Sequence, residues 1–267
     1  METWAGKVVV LTGASEGIGR ALALHLARRQ ARLVLAARNV ARLNSLAEEC
    51  RGLGAQALAV PTDVTSREQC EALADAAFAH FGAIDALVLN AGATMWSRLD
   101  ELEDVDLLER LMRLNYLGAA WPTRRALPAL LAARGRIVAV SSLTGLVGVP
   151  TRTGYAASKH AMIGFFDSLR VELADRGVSV TVVAPDFVRS EIHRRAIGPD
   201  GKPLGTSPMR ESKIMGADAC ARIIADAALA RRRLVITSFR GRLMRWAKLV
   251  APGLADRLAA RAIRRRS

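Results

Sequence analysis

A chain of 267 residues, 51% of them hydrophobic, is long enough to bury a large core and too apolar to be disordered. Aromatics supply only 4%, so that core is aliphatic. The net charge of +14 sits mostly at one end, since residues 231–267 hold twelve Lys or Arg against the single acid Asp256, and no nucleic-acid-reading motif accompanies it.

Short aliphatic runs alternate with longer amphipathic stretches. Lys7–Thr12 predicts a strand and Gly17–Gln30 a helix; Arg32–Ala36 and Asn39–Arg51 repeat the pair. Gln56–Val60 is a weaker strand, and Ser66–Phe81 a helix that Ser66 caps. Ile84–Asn90 is a strand, followed by a long helical region, Asp104–Leu131, that Pro122 kinks or divides. Arg136–Ser142 and Val178–Ala184 are strands flanking a helix over Gly154–Asp175. Residues 186–216, rich in Gly and Pro, break the rhythm as a lid or a disordered stretch. A helix over Ala217–Ala230 and a short strand over Leu234–Thr237 complete the pattern.

Continuous rather than alternating apolar runs suit strands covered on both faces. The expected class is therefore α/β, a parallel sheet with helices on both sides, in one domain over residues 1–240 with a basic helical extension over 241–267. Cys50, Cys70 and Cys220 are scattered and form no C-x-x-C, as expected of reduced thiols in a cytoplasmic protein. Residues 1–6 have no signal-peptide character, and no run approaches the ~20 apolar residues of a membrane span.

Thr12-Gly13-Ala14-Ser15-Glu16-Gly17-Ile18-Gly19 lies between the first strand and the first helix. Glycines there allow a tight turn and a close approach of backbone to a pyrophosphate, with the helix N-terminus facing the anion. This G-x-x-x-G-x-G spacing, with Asn90-Ala91-Gly92 and Tyr155-x-x-x-Lys159, resembles the short-chain dehydrogenase/reductase family from about Lys7 to Thr237. The resemblance implies a Rossmann-type doubly wound parallel sheet that holds NAD(H) or NADP(H), with Gly13, Ser15, Gly17, Ile18 and Gly19 at the phosphates. It also places Asp63 and Val64 at the adenine, although Asp63 also reads as a turn or cap residue, and Asn90, Ala91 and Gly92 at the adenosine ribose.

An acid at the end of the second strand would bond the ribose hydroxyls and repel a 2′-phosphate. The sequence has Ala36-Ala37-Arg38-Asn39 there, and Arg38 is able to pair a phosphate, so NADP(H) is expected over NAD(H). Glu16 counts the other way, because NADP-using relatives often carry a basic residue nearby.

Tyr155 and Lys159 are four apart on a predicted helix and share one face. Ser142 precedes Tyr155 by thirteen residues, which matches the family's spacing better than Ser141 does. The resemblance makes Tyr155 the acid/base, Lys159 the group that lowers its pKa and holds the nicotinamide ribose, Ser142 the group that polarises the substrate oxygen, and Asn115 the support of a proton relay. The tyrosine needs help, because a free phenol titrates near ~10. Pro185, Val188 and Ser190 match the segment facing the nicotinamide and phosphates, with Asp186 where the family has glycine. No metal site is expected.

The 186–216 loop mixes Arg189, Arg194, Arg195, Lys202, Arg210 and Lys213 with Phe187, Ile192, Ile197, Leu204, Met209, Ile214 and Met215. That suits a hydrophobic substrate with an anionic end, or equally an ordinary solvated loop. In the tail, Leu254, Leu258 and Ala262 recur at helical spacing with Arg257, Arg261 and Arg264 off that row, and Ile263 widens the apolar side. Such a basic amphipathic helix, with Trp246 nearby, rests on an anionic membrane surface, packs on its own domain, or packs on a second subunit. The resulting expectation is a ketone–alcohol oxidoreductase acting on a lipophilic small molecule, assembled as a dimer or tetramer. The alternative is a catalytically silent nucleotide-sensing or membrane-associated scaffold of the same fold.

Overall fold

The computed structural model describes residues 2–208 and 214–264. Met209, Arg210 and Lys213 of the loop lie outside the described residues, as do residues 265–267 and the side chains of Ala262, Ile263 and Arg264.

Seven strands form one parallel sheet in the order β3-β2-β1-β4-β5-β6-β7. They are β1 (Val8–Thr12), β2 (Arg32–Ala37), β3 (Ala57–Pro61), β4 (Ala86–Leu89), β5 (Arg136–Val140), β6 (Ser179–Ala184) and β7 (Leu234–Ile236). Every residue of β1, β4 and β5 is buried, which explains their unbroken apolar sequences. Val9 and Leu11 point to a layer formed by α1 (Gly17–Ala27), α2 (Val40–Gly52) and α7 (Ala217–Leu229). Val10 points the other way, to α3 (Arg67–Phe81), α5 (Gly118–Ala132) and α6 (Thr153–Glu172). The expected doubly wound α/β fold is therefore present. Strand order reverses between β1 and β4, and a crevice opens at the carboxyl ends of strands at such a point.

The long helical region is interrupted, but not at Pro122. It consists of α4 (Leu107–Met112), one π turn over Arg113–Leu117, and α5, with Pro122 and Pro128 inside α5. The widened turn ends just before Gly118, whose carbonyl Pro122 cannot bond, so the break falls upstream of the ring. Asn115 sits in that turn, and such turns recur at functional sites.

Ser66 caps α3 by accepting from the Gln69 N–H at 3.2 Å, and Asn39 caps α2 by accepting from Arg42 N–H at 2.9 Å. The three thiols are free and buried, and burial pushes Cys50 up to about 11 and Cys70 and Cys220 up to about 12. These are inert packing groups. The C-terminal extension forms two helices, α8 (Phe239–Val250) and α9 (Pro252–Arg264), so its first helix begins two residues before the expected boundary. Among the described residues no helix is long and apolar enough to cross a membrane.

Candidate active site

A cavity of about 910 Å³ runs along the carboxyl ends of the central strands. One end is walled by the glycine loop with Arg38, Arg42, Asp63 and Val64, the other by Ser142, Tyr155 and Lys159. Of the residues expected at the cofactor, Gly13, Ser15, Gly17, Ile18, Arg38, Asp63, Val64, Asn90, Ala91, Gly92, Pro185, Val188 and Ser190 all line it. Gly19 does not; it lies beneath the loop, where an added Cβ would stand 2.1 Å from the Gly13 carbonyl oxygen. Gly17 has φ +52°, a left-handed conformation, and faces Ser190.

The loop suits a pyrophosphate. No side chain caps α1, and its first turn holds no acid, so its free N–H groups have no internal acceptor. At the adenosine end, Glu16 is held by Arg42, at 3.4 Å, and by Arg195 of the 186–216 segment. Asp63 Oδ1 accepts from both the N–H and the hydroxyl of Thr65, the turn reading of that residue, while remaining in the cavity wall.

Two polar braces hold this edge of the sheet. Thr12 Oγ1 accepts from Asn90 N–H at 3.1 Å and Ala91 N–H at 3.2 Å and donates to the Val88 carbonyl at 3.4 Å. Asn90 Nδ2 donates back to the Thr12 and Gly13 carbonyls. The second brace is Asn115. Its Oδ1 accepts from Ala93 N–H at 2.9 Å, and its Nδ2 donates to the Ala93 carbonyl and to Ser158 Oγ. The Ser158 hydroxyl in turn donates to the Tyr155 carbonyl at 2.8 Å. The Asn115 amide is thus fully occupied in joining the segment after β4 to α6.

Tyr155 and Lys159 lie one turn apart on α6, both buried. Lys159 Nζ donates to the Val140 carbonyl at 3.0 Å, and desolvation lowers its pKa to about 8. Burial raises the Tyr155 pKa, opposed by a hydrogen bond from Ser142 and by the positive charge of Arg152. The expected influence of Lys159 on the phenol is not among these; its ammonium donates to the Val140 carbonyl and stands 5.9 Å from the ring centroid. Ser142 faces the cavity and accepts from Thr144 N–H, whereas Ser141 donates to the Lys159 carbonyl and serves as packing.

Arg152 is a site residue that the sequence reading missed. It is 4% exposed, lines the cavity and stacks on Trp96 with its guanidinium carbon 4.4 Å from the ring centroid. A signal was present, because no Asp or Glu occurs between Glu109 and Asp167, so Arg152 has no acid near it in sequence.

The 186–216 segment is docked where it is described. Trp96 N–H donates to the Ile197 carbonyl at 2.8 Å, and Ile197 N–H to the Thr94 carbonyl at 3.0 Å. Asp186 keeps an ordinary backbone conformation in place of glycine and gains partners. Its N–H donates to Thr237 Oγ1 at 3.1 Å, and its Oδ2 accepts from Ser238 Oγ at 2.9 Å. Ser238 also caps α8, accepting from Gly241 N–H.

The family model for short chain dehydrogenases matches residues 7–198. The chain is 38% identical over 261 residues to 11-beta-hydroxysteroid dehydrogenase A of Sesamum indicum, spanning 96% of this chain and 75% of that protein. It is 33% identical over 260 residues to dehydrogenase/reductase SDR family member 7B of Mus musculus, spanning 95% and 80%. Among solved structures, a short chain dehydrogenase/reductase from Burkholderia phymatum in complex with NAD superposes with a TM-score of 0.84 at 28% identity, covering 95% of this chain and 96% of that one.

The Thr12 brace gives a direct test. Thr12→Val keeps the side-chain shape but leaves two backbone N–H groups without an acceptor. Chemical denaturation should show a loss of about 2–6 kcal/mol, at about 1–3 for each of the two unsatisfied groups. A loss below half of that range would mean the hydroxyl is not what holds the β4 end in place.

Proposed function

Because the chain belongs to the short-chain dehydrogenase/reductase family, we propose that it is an NADP(H)-dependent oxidoreductase that interconverts a ketone and a secondary alcohol on a lipophilic substrate. The observation that carries this reading is the buried Tyr155–Lys159 pair beside Ser142, at one end of a cleft whose other end is a glycine loop at an uncapped helix N-terminus. Leu107, Leu111, Val149 and Ile197 give the substrate end an apolar wall, in keeping with relatives named for hydroxysteroids.

Bound along this cleft, NADPH would supply the hydride for the carbonyl carbon. Ser142 hydrogen-bonds the substrate oxygen and polarises it. Tyr155 donates its phenolic proton to that oxygen as negative charge develops, and burial keeps the phenol in its acid form for reduction. Lys159 holds the nicotinamide ribose, and its ammonium, retained below about 8, favours the phenolate that remains. Asn115 supports reprotonation by fixing the backbone at Ala93, next to Gly92, where an added Cβ would stand 3.0 Å from Asn115 Oδ1 and 3.5 Å from Lys159 Nζ.

Arg38 and Arg42 flank the adenosine end, where no acid follows β2, and they favour a 2′-phosphate; Glu16 is already engaged by Arg42 and Arg195. The apolar residues of α8 support a further role. Phe239, Leu243, Trp246 (66% exposed), Leu249 and Val250 (78%) are uncovered among arginines, a pattern suited to an anionic membrane surface.

Three outcomes follow. Tyr155→Phe should lower kcat by about 10²–10⁴ while NADPH binding, read by fluorescence titration, stays near wild type; near-normal turnover would refute the acid/base assignment. KM for NADPH should lie roughly tenfold or more below that for NADH, and Arg38→Ala should narrow the gap; a preference for NADH would sink the cofactor reading. The full chain should float with phosphatidylserine vesicles and not with neutral ones, and Trp246→Ser with Leu249→Ser should release it; equal flotation of both forms would remove α8 as the contact.

A further inference from the structure

Arg152 occupies a position that costs the protein stability and is not accounted for by the folding of the domain. Its guanidinium is buried, and Nη1 donates to Thr94 Oγ1. Nη2 is shut off from solvent and has no hydrogen-bond partner among the described residues. An isolated buried cation is strongly disfavoured unless an anion meets it.

Among the described residues, no acid of the cavity serves it. Glu16 is taken by Arg42 and Arg195, Asp63 by Thr65, and Asp186 by Ser238. Glu191 pairs with Arg194 at 4.0 Å. Arg195, the arginine that lines the cavity among the described residues of the 186–216 segment, is thus already paired with Glu16. Arg152 is also the N-cap residue of α6, with no side-chain cap on that helix, so the positive charge stands where the helix field is itself positive. The same two features, a cation and an open helix N-terminus, attract an anion. The stacking on Trp96 and the approach to Tyr155, 5.9 Å from its ring centroid, hold the guanidinium but neutralise nothing. Desolvation depresses its pKa to about 10, so it stays charged at neutral pH.

We propose that the substrate is a ketone, or its alcohol, that carries a carboxylate, and that Arg152 receives that carboxylate while Tyr155 faces the carbonyl. The inference rests on the oxidoreductase reading above and narrows its substrate class to lipophilic keto acids. Leu107, Leu111, Val149 and Ile197 accommodate the apolar part, with Thr94 beside the charged end. The anion would add the negative charge that this cation-rich end lacks, and would fix which carbonyl reaches Tyr155.

The test compares benzoylformate and benzoylpropionate, each with its methyl ester, in the wild type, Arg152→Met and Arg152→Lys. In the wild type, kcat/KM for the better acid should exceed that for its ester by roughly 10- to 100-fold, the worth of a hydrogen bond to a charged group. Arg152→Met should bring that ratio near one, and Arg152→Lys should restore part of it. Arg152→Met should fold with a Tm equal to or above wild type, since an apolar replacement for an unpaired buried charge is neutral to stabilising. A wild-type ratio near one overturns the proposal. So does an equal fall of acid and ester with a shifted pH profile of kcat, which would make Arg152 a positioning residue for Tyr155. If no ketone is reduced at all, the oxidoreductase reading fails separately. Titration of Trp96 fluorescence with the acids, with Trp96→Phe as control, then still decides. A saturable acid response lost in Arg152→Met supports the anion site, and no response overturns it.

Discussion

Thr12 Oγ1 and the Asn90 amide tie β1 to β4 at the line where the sheet reverses its winding, and the geometry of the site descends from that tie. Parallel strands end in loops that carry unsatisfied backbone groups, and these two side chains absorb several of them at once. With the β1 and β4 ends fixed, the glycine loop takes its turn, and the chain after β4 runs close enough to α6 for Asn115 to join Ala93 to Ser158. Tyr155 and Lys159 inherit their register from that second joint. The strand ends at the cleft are therefore held by hydrogen bonds between backbone and short polar side chains, while Met95, Leu107 and Leu111 pack around Tyr155 at its substrate end.

The electrostatics of the cleft are one-sided. Lys159 and Arg152 are both buried, and neither is paired with a carboxylate among the described residues. Each is held by neutral groups instead, a backbone carbonyl for the lysine and a hydroxyl and an indole face for the arginine. Such an arrangement is preorganised for negative charge that arrives with ligands, and it keeps the phenol of Tyr155 between burial, which favours the acid, and the Ser142 hydrogen bond and Arg152 charge, which favour its conjugate base. Activity and stability pull against each other here, as they do wherever a site holds unneutralised charge.

Much of this was legible in the chain. Unbroken apolar runs announced a sheet covered on both faces, and Ser66 announced the start of α3. The residues of the glycine loop, Ser142, Tyr155 and Lys159 gather as their spacing implied. Three things were hidden. The interruption of the long helical region falls at the π turn rather than at Pro122, because hydrogen-bond register across a helix depends on what the side chains meet, and Asn115 meets Ala93 and Ser158. The role of Asp63 was divided in the sequence, and its turn geometry with Thr65 coexists with a place in the cavity wall. Arg152 was invisible because an arginine three residues before a tyrosine reads as surface charge; only the acid-free stretch around it hinted that no acid near it in sequence would neutralise it.

Asp186 links two distant times in the life of the chain. Its carboxylate and N–H are satisfied by Ser238 and Thr237, some fifty residues later, and Ser238 starts the last pair of helices. The glycine loop and β1 are made first, yet Asp186, beside Pro185 in the wall of the cleft, gains its Thr237 and Ser238 partners only when those later residues have emerged and folded back. Such a closure of high sequence separation forms late. A growing chain therefore carries a half-finished pocket, in which, among the described residues, Phe187 N–H alone meets the Asp186 carboxylate until residues 237 and 238 arrive.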